Sequence, residues 1–415
     1  MLDFRPPKDS KFLIGFIKLF APLYKKYGMN DTQIRVREGA LERFAKLKGK
    51  RALVCPNHSN RHDPQAMFFF GQAAKECFNY VAAREVFDWD RGFNGWWLQH
   101  IGAYSVVRGA PDRESFKMTK KILSEGKQKL VLFPEGEISR QNDTLLPLET
   151  GAAQLSFWAL DELDKQGLNE HLYIVPIALK YTYTGDIKPA LTDTLTKLEA
   201  KLSVPRPSGS KLYPRLMAVA EKLISSLESE YNQHPAKDAT LNDRITTLRL
   251  AILTRASAFL NVELPRSDRT LDAVRLLRNK IDDFVYEHEE GLSEYEKERH
   301  DEKAAAIKGF YKDLDRVVNF VSIYDGYIKE HMTQERFADV LERIEYEVFG
   351  ETTVKGPRNI LIDVGNPIDL RSYQHEYKTN KKVALQKITE ELSTQMSGML
   401  DTLEHERMKK FVDSP

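Results

Sequence analysis

The chain has 415 residues, of which 41% are hydrophobic and 30% charged, and its formal net charge is +1. This composition is that of a globular protein with one large or two ordinary domains, and it excludes wholesale disorder. The only cysteines are Cys55 and Cys77, which excludes a disulfide framework and fits a reducing compartment.

The charge is unevenly distributed along the chain. Residues 1–61 contain 14 Lys/Arg against 5 Asp/Glu, a net charge of +9, so the remainder carries −8. A basic segment attached to an acidic body favours an anionic surface as partner. Nucleic acid is one such surface, and the cytoplasmic leaflet of a membrane is another.

The stretch 11–24 distinguishes these two partners. Its apolar run is interrupted by a lysine and a proline, and it is shorter than the ~20 residues of a membrane-spanning helix. It also lacks the pattern of a signal peptide. Lys11, Lys18 and Lys25 share one face of a helix that is otherwise largely apolar. The sequence thus predicts a basic amphipathic helix on an anionic membrane surface, without nucleic acid as partner, and packing on the protein's own core is the alternative.

Between residues 50 and 185, short apolar runs alternate with amphipathic segments. The apolar runs predict buried strands at residues 51–55, 80–83, 104–107, 129–133 and 172–179. The segments between them predict helices at residues 66–76, 112–125 and 151–163. This alternation predicts an α/β layer structure.

The pattern changes after about residue 185. From residue 211 to residue 350 apolar spacing predicts almost continuous helix, with N-caps at Ser267, Ser293 and Thr333. Strand character returns at residues 359–364, and a last amphipathic helix covers residues 382–403. A single late strand has no sheet of its own, so we expect it to complete the earlier sheet.

The predicted fold class is therefore α/β, with a central mixed sheet flanked by helices, a large all-helical insertion and an N-terminal amphipathic helix. We expect four segments: 1–39 for membrane association, 40–189 for the first part of the core, 190–356 for the insertion and 357–415 for the return to the core. The insertion could be a lid, a bundle that binds a protein partner or a membrane-contact module, and the sequence does not choose among these.

A histidine and an aspartate lie in the turn after the first strand. Asn57, His58 and Asp63 follow a buried strand and precede a helix, where ligand sites of α/β folds concentrate. If the turn reverses, the carboxylate can bond one ring nitrogen and leave the other as a base for an alcohol. Metal binding that includes His62 and a purely structural loop are the alternatives.

Two further turns carry charged side chains. Arg108 follows a strand bracketed by glycines, and its planar guanidinium suits a phosphate, although a surface ion pair is the alternative. A proline and Gly136 form a tight turn that projects Glu135, which could bond an acceptor hydroxyl or hold Arg108 in place. Pro176 within a later strand indicates an edge or a bulge, and it could shape a wall of the site, with packing as the alternative.

Together these elements resemble the glycerol-3-phosphate and lysophosphatidate acyltransferase family over about residues 40–185. The motifs of that family stand in its order as Asn57-His58…Asp63, Gly102…Arg108, Phe133-Pro-Glu-Gly136 and Val175-Pro-Ile177. The resemblance implies His58 as general base and Asp63 as the partner that orients it. It implies substrate binding by Asn57, Arg108, Glu135, Gly136 and Arg140.

The same resemblance implies acyl-CoA or acyl-carrier-protein as donor, a glycerol phosphate or lysophospholipid as acceptor, and no metal or organic cofactor. The chain departs from the pattern after Gly136. Many members continue with Thr-Arg-Ser, whereas this chain has Glu137-Ile-Ser139, so a carboxylate replaces a cation. Arg140 could substitute for that cation, and a less anionic or zwitterionic lysolipid becomes a candidate acceptor.

The sequence therefore predicts an acyltransferase of phospholipid synthesis, peripheral on the cytoplasmic face of a membrane. Two other classes of function are alternatives. One is a non-catalytic lipid-binding scaffold whose insertion recruits partners, and the other is a metal-dependent hydrolase that uses His58, His62 and Asp63.

Overall fold

The computed structural model describes residues 3–10, 12–17, 31–109, 112–205, 211–265, 270–285, 294–321, 328–407 and 409–413. Within them the chain forms a central eight-stranded mixed sheet flanked by helices, which confirms the predicted α/β class. Residues 12–17 are helical. The predicted helical face of Lys11, Lys18 and Lys25 lies outside the described residues, as do the predicted N-caps Ser267 and Ser293.

The sheet and its helices follow one another in a simple order along the chain. The strands are β1 (Asp31–Val36), β2 (Arg51–Pro56), β3 (Phe78–Ala83), β4 (Ala103–Val106), β5 (Lys129–Val131), β6 (Leu172–Tyr183), β7 (Arg358–Val364) and β8 (Ile368–Asp369). The helices before β6 are α1 (Ala40–Ala45), α2 (Asp63–Ala74), α3 (Phe93–His100), α4 (Arg113–Glu125) and α5 (Gly151–Lys165).

The remaining helices follow β6. Between β6 and β7 lie α6 (Lys188–Leu202), α7 (Leu212–Glu230), α8 (Leu241–Leu260), α9 (Thr270–Val285), α10 (Glu294–Val321) and α11 (Gln334–Phe349). We call these six helices the helical block. After β8 come α12 (Gln374–Thr379) and α13 (Lys381–Glu406). The predicted N-cap Thr333 is confirmed, because its side chain accepts a hydrogen bond from the N–H of Arg336.

The strand order in the sheet is β1-β7-β6-β2-β5-β3-β4, and β8 also pairs with β6. From β6 to β4 neighbouring strands are parallel, whereas β7 is antiparallel to β6. The late strand therefore completes the earlier sheet, as expected, with Leu179 opposite Ile362. Because the carboxyl ends of the parallel strands meet at one edge, the turns after β2, β4 and β5 converge there.

Alternate residues of the strands face two hydrophobic layers, as the period of two in a strand requires. In β2, Leu53 and Cys55 pack in the layer that holds α4, α5 and α13. Ala52 and Val54 pack in the opposite layer with α1 and α2. Burial on both faces explains why these strands are continuous apolar runs in the sequence.

Pro176 does not mark an edge of the sheet, so that expectation is wrong. The strand that contains it, β6, is interior, with β2 on one side and β7 and β8 on the other. The carbonyl oxygen of Pro176 accepts from the N–H of Gly365, so the proline faces the junction between β7 and β8. A missing N–H is tolerated at this junction because the ladder changes partner there.

The helical block has a hydrophobic core of its own. Each helix contributes at least one leucine with less than 1% exposure, namely Leu191 and Leu195 (α6), Leu216 (α7), Leu248 (α8), Leu277 (α9), Leu314 (α10) and Leu341 (α11). The block meets the active edge of the sheet mainly through polar side chains of α9 and α11, which are described below.

Candidate active site

His58 lies in the turn that joins β2 to α2, and its side chain is 15% exposed. Its Nδ1 lies 2.9 Å from Oδ2 of Asp63, the first residue of α2. Because a carboxylate only accepts, Nδ1 carries the proton of the neutral ring, and the lone pair is left on Nε2. The predicted contact between the two side chains is thus present, and their chemical roles stay predictions.

The Asp63 carboxylate is fully buried and holds three donors. Besides His58, the backbone N–H of Asn60 donates to Oδ2 at 2.8 Å, and the Tyr181 hydroxyl donates to Oδ1 at 2.7 Å. A buried carboxylate with each oxygen hydrogen-bonded has its orientation determined, and so has the imidazole bonded to it. Tyr181 lies outside the four sequence motifs, so its contact with Asp63 was not predicted.

Asn57 anchors the same turn to the neighbouring strand. Its amide nitrogen donates to the carbonyl of Leu179 at 3.0 Å, and its amide oxygen accepts from the N–H of Leu179 at 2.6 Å. The side chain is buried, so both polar atoms are used on the backbone of β6. This geometry is that of a residue that positions His58, and the predicted contact of Asn57 with substrate stays a prediction.

The tight turn after β5 supports the other side of His58. The Phe133 ring stacks on the imidazole with centroids 4.1 Å apart. Glu135 accepts from the N–H of His58 at 2.6 Å and from the N–H of Leu146 at 2.8 Å. Burial raises the pKa of Glu135 to about 8, although the two backbone donors act in the opposite direction.

Glu135 does not hold Arg108, so that part of the expectation is wrong. Its carboxylate is fully buried and bonded to the two backbone donors just described, whereas Arg108 Nη1 donates to the carboxylate of Glu137 at 2.7 Å and 2.5 Å. The Arg108 Nη1 also reaches the carbonyl of Gly136 at 3.1 Å, and its Nη2 pairs with Glu85. The predicted contact of Glu135 with an acceptor hydroxyl stays a prediction.

Gly136 makes the turn possible. Its φ is +70°, a conformation that favours glycine, and an added Cβ would lie 2.7 Å from Nη2 of Arg275. Arg275 is on α9, and its Nη1 donates to Glu149 at 2.6 Å. The helical block therefore reaches the turn that carries Glu135.

Two other arginines of the block contact the same segment. Arg278 of α9 donates to Glu137 at 3.0 Å. Arg343 of α11 is buried and donates to the carbonyl oxygens of Ser139 and Arg140, both at 2.8 Å. The N–H of Ser139 in turn donates to the carbonyl of His58 at 2.7 Å.

Comparison with known proteins identifies this part of the chain. Residues 34–180 match the family model described as Acyltransferase, the domain of glycerol-3-phosphate and lysophosphatidate acyltransferases. Residues 34–180 are an acyltransferase domain. The domain confirms the predicted resemblance and gives the chain a general acyltransferase role. No curated protein matches the chain.

The acyltransferase domain contains each residue proposed for the site from the sequence. His58, Asp63, Asn57, Glu135 and Gly136 come together in two hydrogen-bonded turns, and Arg108 joins them through the Gly136 carbonyl. Arg140 is apart from this cluster in its contacts, since its guanidinium lies over the Tyr346 ring of α11 at 4.4 Å. Its predicted role in substrate binding stays a prediction.

The metal alternative lacks a ligand cluster in this domain. Among the described residues, no three His, Cys, Asp or Glu side chains converge as metal ligands would. His62 is the N-cap of α2, and its backbone N–H donates to the Asn60 side chain at 3.0 Å. The hydroxyl of Ser59, next to His58, is buried without a hydrogen-bond partner within the described part of the chain.

Proposed function

We propose that this acyltransferase moves a fatty acyl group from acyl-CoA or acyl-carrier-protein to a hydroxyl of a glycerol phosphate or lysophospholipid, with His58 as general base. The observation that carries the proposal is the pairing of His58 Nδ1 with the buried Asp63 carboxylate, which leaves Nε2 as the basic atom of a partly exposed ring. Such a base at the carboxyl edge of a parallel sheet is suited to act on a substrate bound there.

The chemistry follows from the position of the proton. Nε2 takes the proton of the acceptor hydroxyl as its oxygen forms a bond to the thioester carbonyl carbon. Collapse of the tetrahedral adduct breaks the carbon–sulfur bond, and the proton passes to the departing thiolate. The imidazolium that exists between these steps lies beside the Asp63 carboxylate, which stabilises its charge.

A matched pair of histidine variants tests the role of His58. His171 also has its Nδ1 paired with a carboxylate, that of Asp369 at 2.6 Å, but it precedes the opposite, amino end of β6. We expect His58→Ala to lower kcat by at least 10³-fold while the protein remains folded, and His171→Ala to retain activity.

The assay is release of the donor thiol with a panel of lysolipids and glycerol 3-phosphate. Near-normal activity of His58→Ala would show that the base is elsewhere. An absence of product from every acceptor, despite clear binding of lipid vesicles, would favour the scaffold alternative instead.

We propose further that the protein lies on an anionic membrane surface at its cytoplasmic face. No helix in the described part of the chain is long and apolar enough to cross a bilayer. Support comes from exposed aromatic side chains around α3, since Trp89, Phe93 and Trp96 are 60%, 64% and 45% exposed. Aromatic rings of this kind are favoured at the boundary between water and lipid.

The N-terminal segment lies beside this aromatic group. The N–H groups of Lys8 and Ser10 donate to the carbonyls of Gln99 and His100, at the end of α3, and Phe12 follows with 85% exposure. The exposed aromatic group beside the N-terminal segment, together with the net charge of +9 in residues 1–61 of the sequence, suits an anionic leaflet.

Vesicle flotation tests the membrane proposal. We expect Phe93→Ser with Trp96→Ser to weaken binding to anionic vesicles at least fivefold, because both rings would leave the interface. The control is Phe259→Ser on α8, which removes a ring that is 50% exposed on the helical block. Equal loss in both variants, or equal binding of wild type to zwitterionic and anionic vesicles, would contradict the proposal.

A further inference from the structure

A carboxylate occupies the place beside Arg108 where an anionic group of a substrate would bind. Glu137 accepts from Arg108 on one side and from Arg278 of α9 on the other, and its side chain is only 10% exposed. Burial alone would raise the pKa of Glu137, but the two guanidinium groups hold it below its ordinary value. Glu137 is therefore charged at neutral pH.

The turn at residues 135–137 connects the Arg108–Glu137 pair to His58. Glu135 bonds to the backbone of His58, and the next residue, Gly136, has its carbonyl bonded to Arg108. The backbone N–H of Val107 donates to the N-cap residue of α4, Asp112, at 2.9 Å, which holds the segment before Arg108. An acceptor with its hydroxyl at His58 thus extends towards Arg108 and Glu137.

Within the part of the chain that the structure describes, the charged groups around Arg108 include no excess of cations. Among the described residues, two guanidinium groups pair with Glu137, those of Arg108 and Arg278. Including Glu137 itself, they pair with three carboxylates, those of Glu85, Glu137 and Asp315. A phosphate monoester would add close to two negative charges to a cluster whose carboxylates already outnumber its guanidinium groups.

We infer that Glu137 is a specificity-determining residue that excludes acceptors with a phosphate monoester and favours lysophospholipids in which the phosphate is a diester. The inference rests on the proposed function. A monoester must displace the Glu137 carboxylate from Arg108 and Arg278, which leaves a largely buried charge without its partners. A zwitterionic phosphodiester brings one negative charge and a compensating cation, so the Glu137 pairs persist.

Two acceptor classes and two variants test the inference. The acceptors are lysophosphatidate and glycerol 3-phosphate on one side, and lysophosphatidylcholine and lysophosphatidylethanolamine on the other. Wild type should show a kcat/KM at least tenfold higher for the diesters. Glu137→Gln keeps the shape and frees the charge of Arg108, so it should raise the monoester-to-diester ratio of kcat/KM at least tenfold.

The matched control is Glu345→Gln in α11, because Glu345 is also buried and accepts from a cation, Lys355 Nζ at 2.6 Å, but this ion pair joins α11 to the segment before β7. It should leave the ratio unchanged within twofold. The ratio is measured on one preparation, so a partly unfolded fraction cancels.

Three outcomes would overturn the inference. A wild-type preference for monoesters would overturn the inference but leave the proposed function intact. A fall of the monoester-to-diester ratio in Glu137→Gln would do the same, since either result makes Glu137 an aid to phosphate binding. If wild type acylates no acceptor with any thioester donor, the proposed function itself fails and the inference fails with it.

Discussion

Replacement of Asp63 by asparagine separates the charge of this side chain from its geometry. Asparagine has one acceptor oxygen, and the backbone N–H of Asn60 requires an acceptor at the position of Oδ2. The amide oxygen should therefore take that position and still accept from Nδ1 of His58. The amide nitrogen then faces the hydroxyl of Tyr181, which can accept as well as donate.

The magnitude of the loss follows from the missing charge. The imidazolium and the carboxylate lie with Nδ1 and Oδ2 2.9 Å apart. At a charge separation of ~4 Å and an effective dielectric constant of ~20, their attraction is about 4 kcal/mol. Since about 1.4 kcal/mol corresponds to a tenfold change in rate, we expect kcat of Asp63→Asn to fall by about 10³-fold.

The assay is thiol release at saturating donor and acceptor, with urea unfolding of the same preparations. The unfolding free energy should change by no more than about 2 kcal/mol, because the asparagine keeps the bonds and removes a buried charge. Asp369→Asn, which changes the partner of His171, is the control and should keep full activity. A loss below about tenfold in Asp63→Asn would refute the proposed pairing as the source of the base.

Three further outcomes are expected. Tyr181→Phe removes a donor to the buried Asp63 carboxylate, so it should lower the unfolding free energy by about 1.5–3 kcal/mol and kcat several-fold. Tyr104→Phe, the control, removes a buried hydrogen bond to Thr119 and should lower the unfolding free energy without a change in kcat. Burial raises the pKa of Glu135 in the folded state to about 8, above the ordinary 4.5, so the neutral side chain stabilises the fold fully below about pH 4.5. This stabilisation is lost as the pH rises through about 8. The unfolding free energy of wild type should therefore fall more steeply over this pH window than that of Glu135→Gln. Arg343→Met should reduce thiol release at least tenfold, because the carbonyls of residues 139 and 140 lose their buried donor.

The layer structure could be predicted because buried parallel strands are apolar on both faces. Apart from Arg51 and Lys129 at their first positions, the runs that became β2 and β5 are apolar toward both layers, so their strand character is visible without knowledge of their partners. In contrast, β1 reads Asp-Thr-Gln-Ile-Arg-Val and is an edge strand next to β7, and its polar residues gave no such signal. The short helix α3 was missed because two of its four large hydrophobic side chains, Phe93 and Trp96, are exposed and so blur its amphipathic pattern.

The motifs identified the base and its partner because the two residues are only five apart in the sequence. The other contacts of the site join residues that are distant in the chain. Tyr181 is 118 residues from Asp63, and Arg278 is 141 residues from Glu137. A single sequence gives no sign of such pairs, because the local sequence around each residue fits an exposed side chain as well as one paired with a distant residue. The exchange of a cation for Glu137 was visible, but its arginine partner on α9 was not.

The contacts of the helical block argue against an independent module that could be removed without effect. Arg275 and Arg278 of α9 hold the turn at Glu135 and Glu137 from one side, and Arg343 of α11 holds Ser139 from the other. Ser139 bonds to the His58 carbonyl, so each of these contacts is at most a few bonds from the base. Removal of the block would also remove the Arg278 guanidinium from Glu137, so that Arg108 would remain as its partner among the described residues. The block is better understood as a wall of the site that supports the turn at Glu135 and supplies a cation that pairs with Glu137.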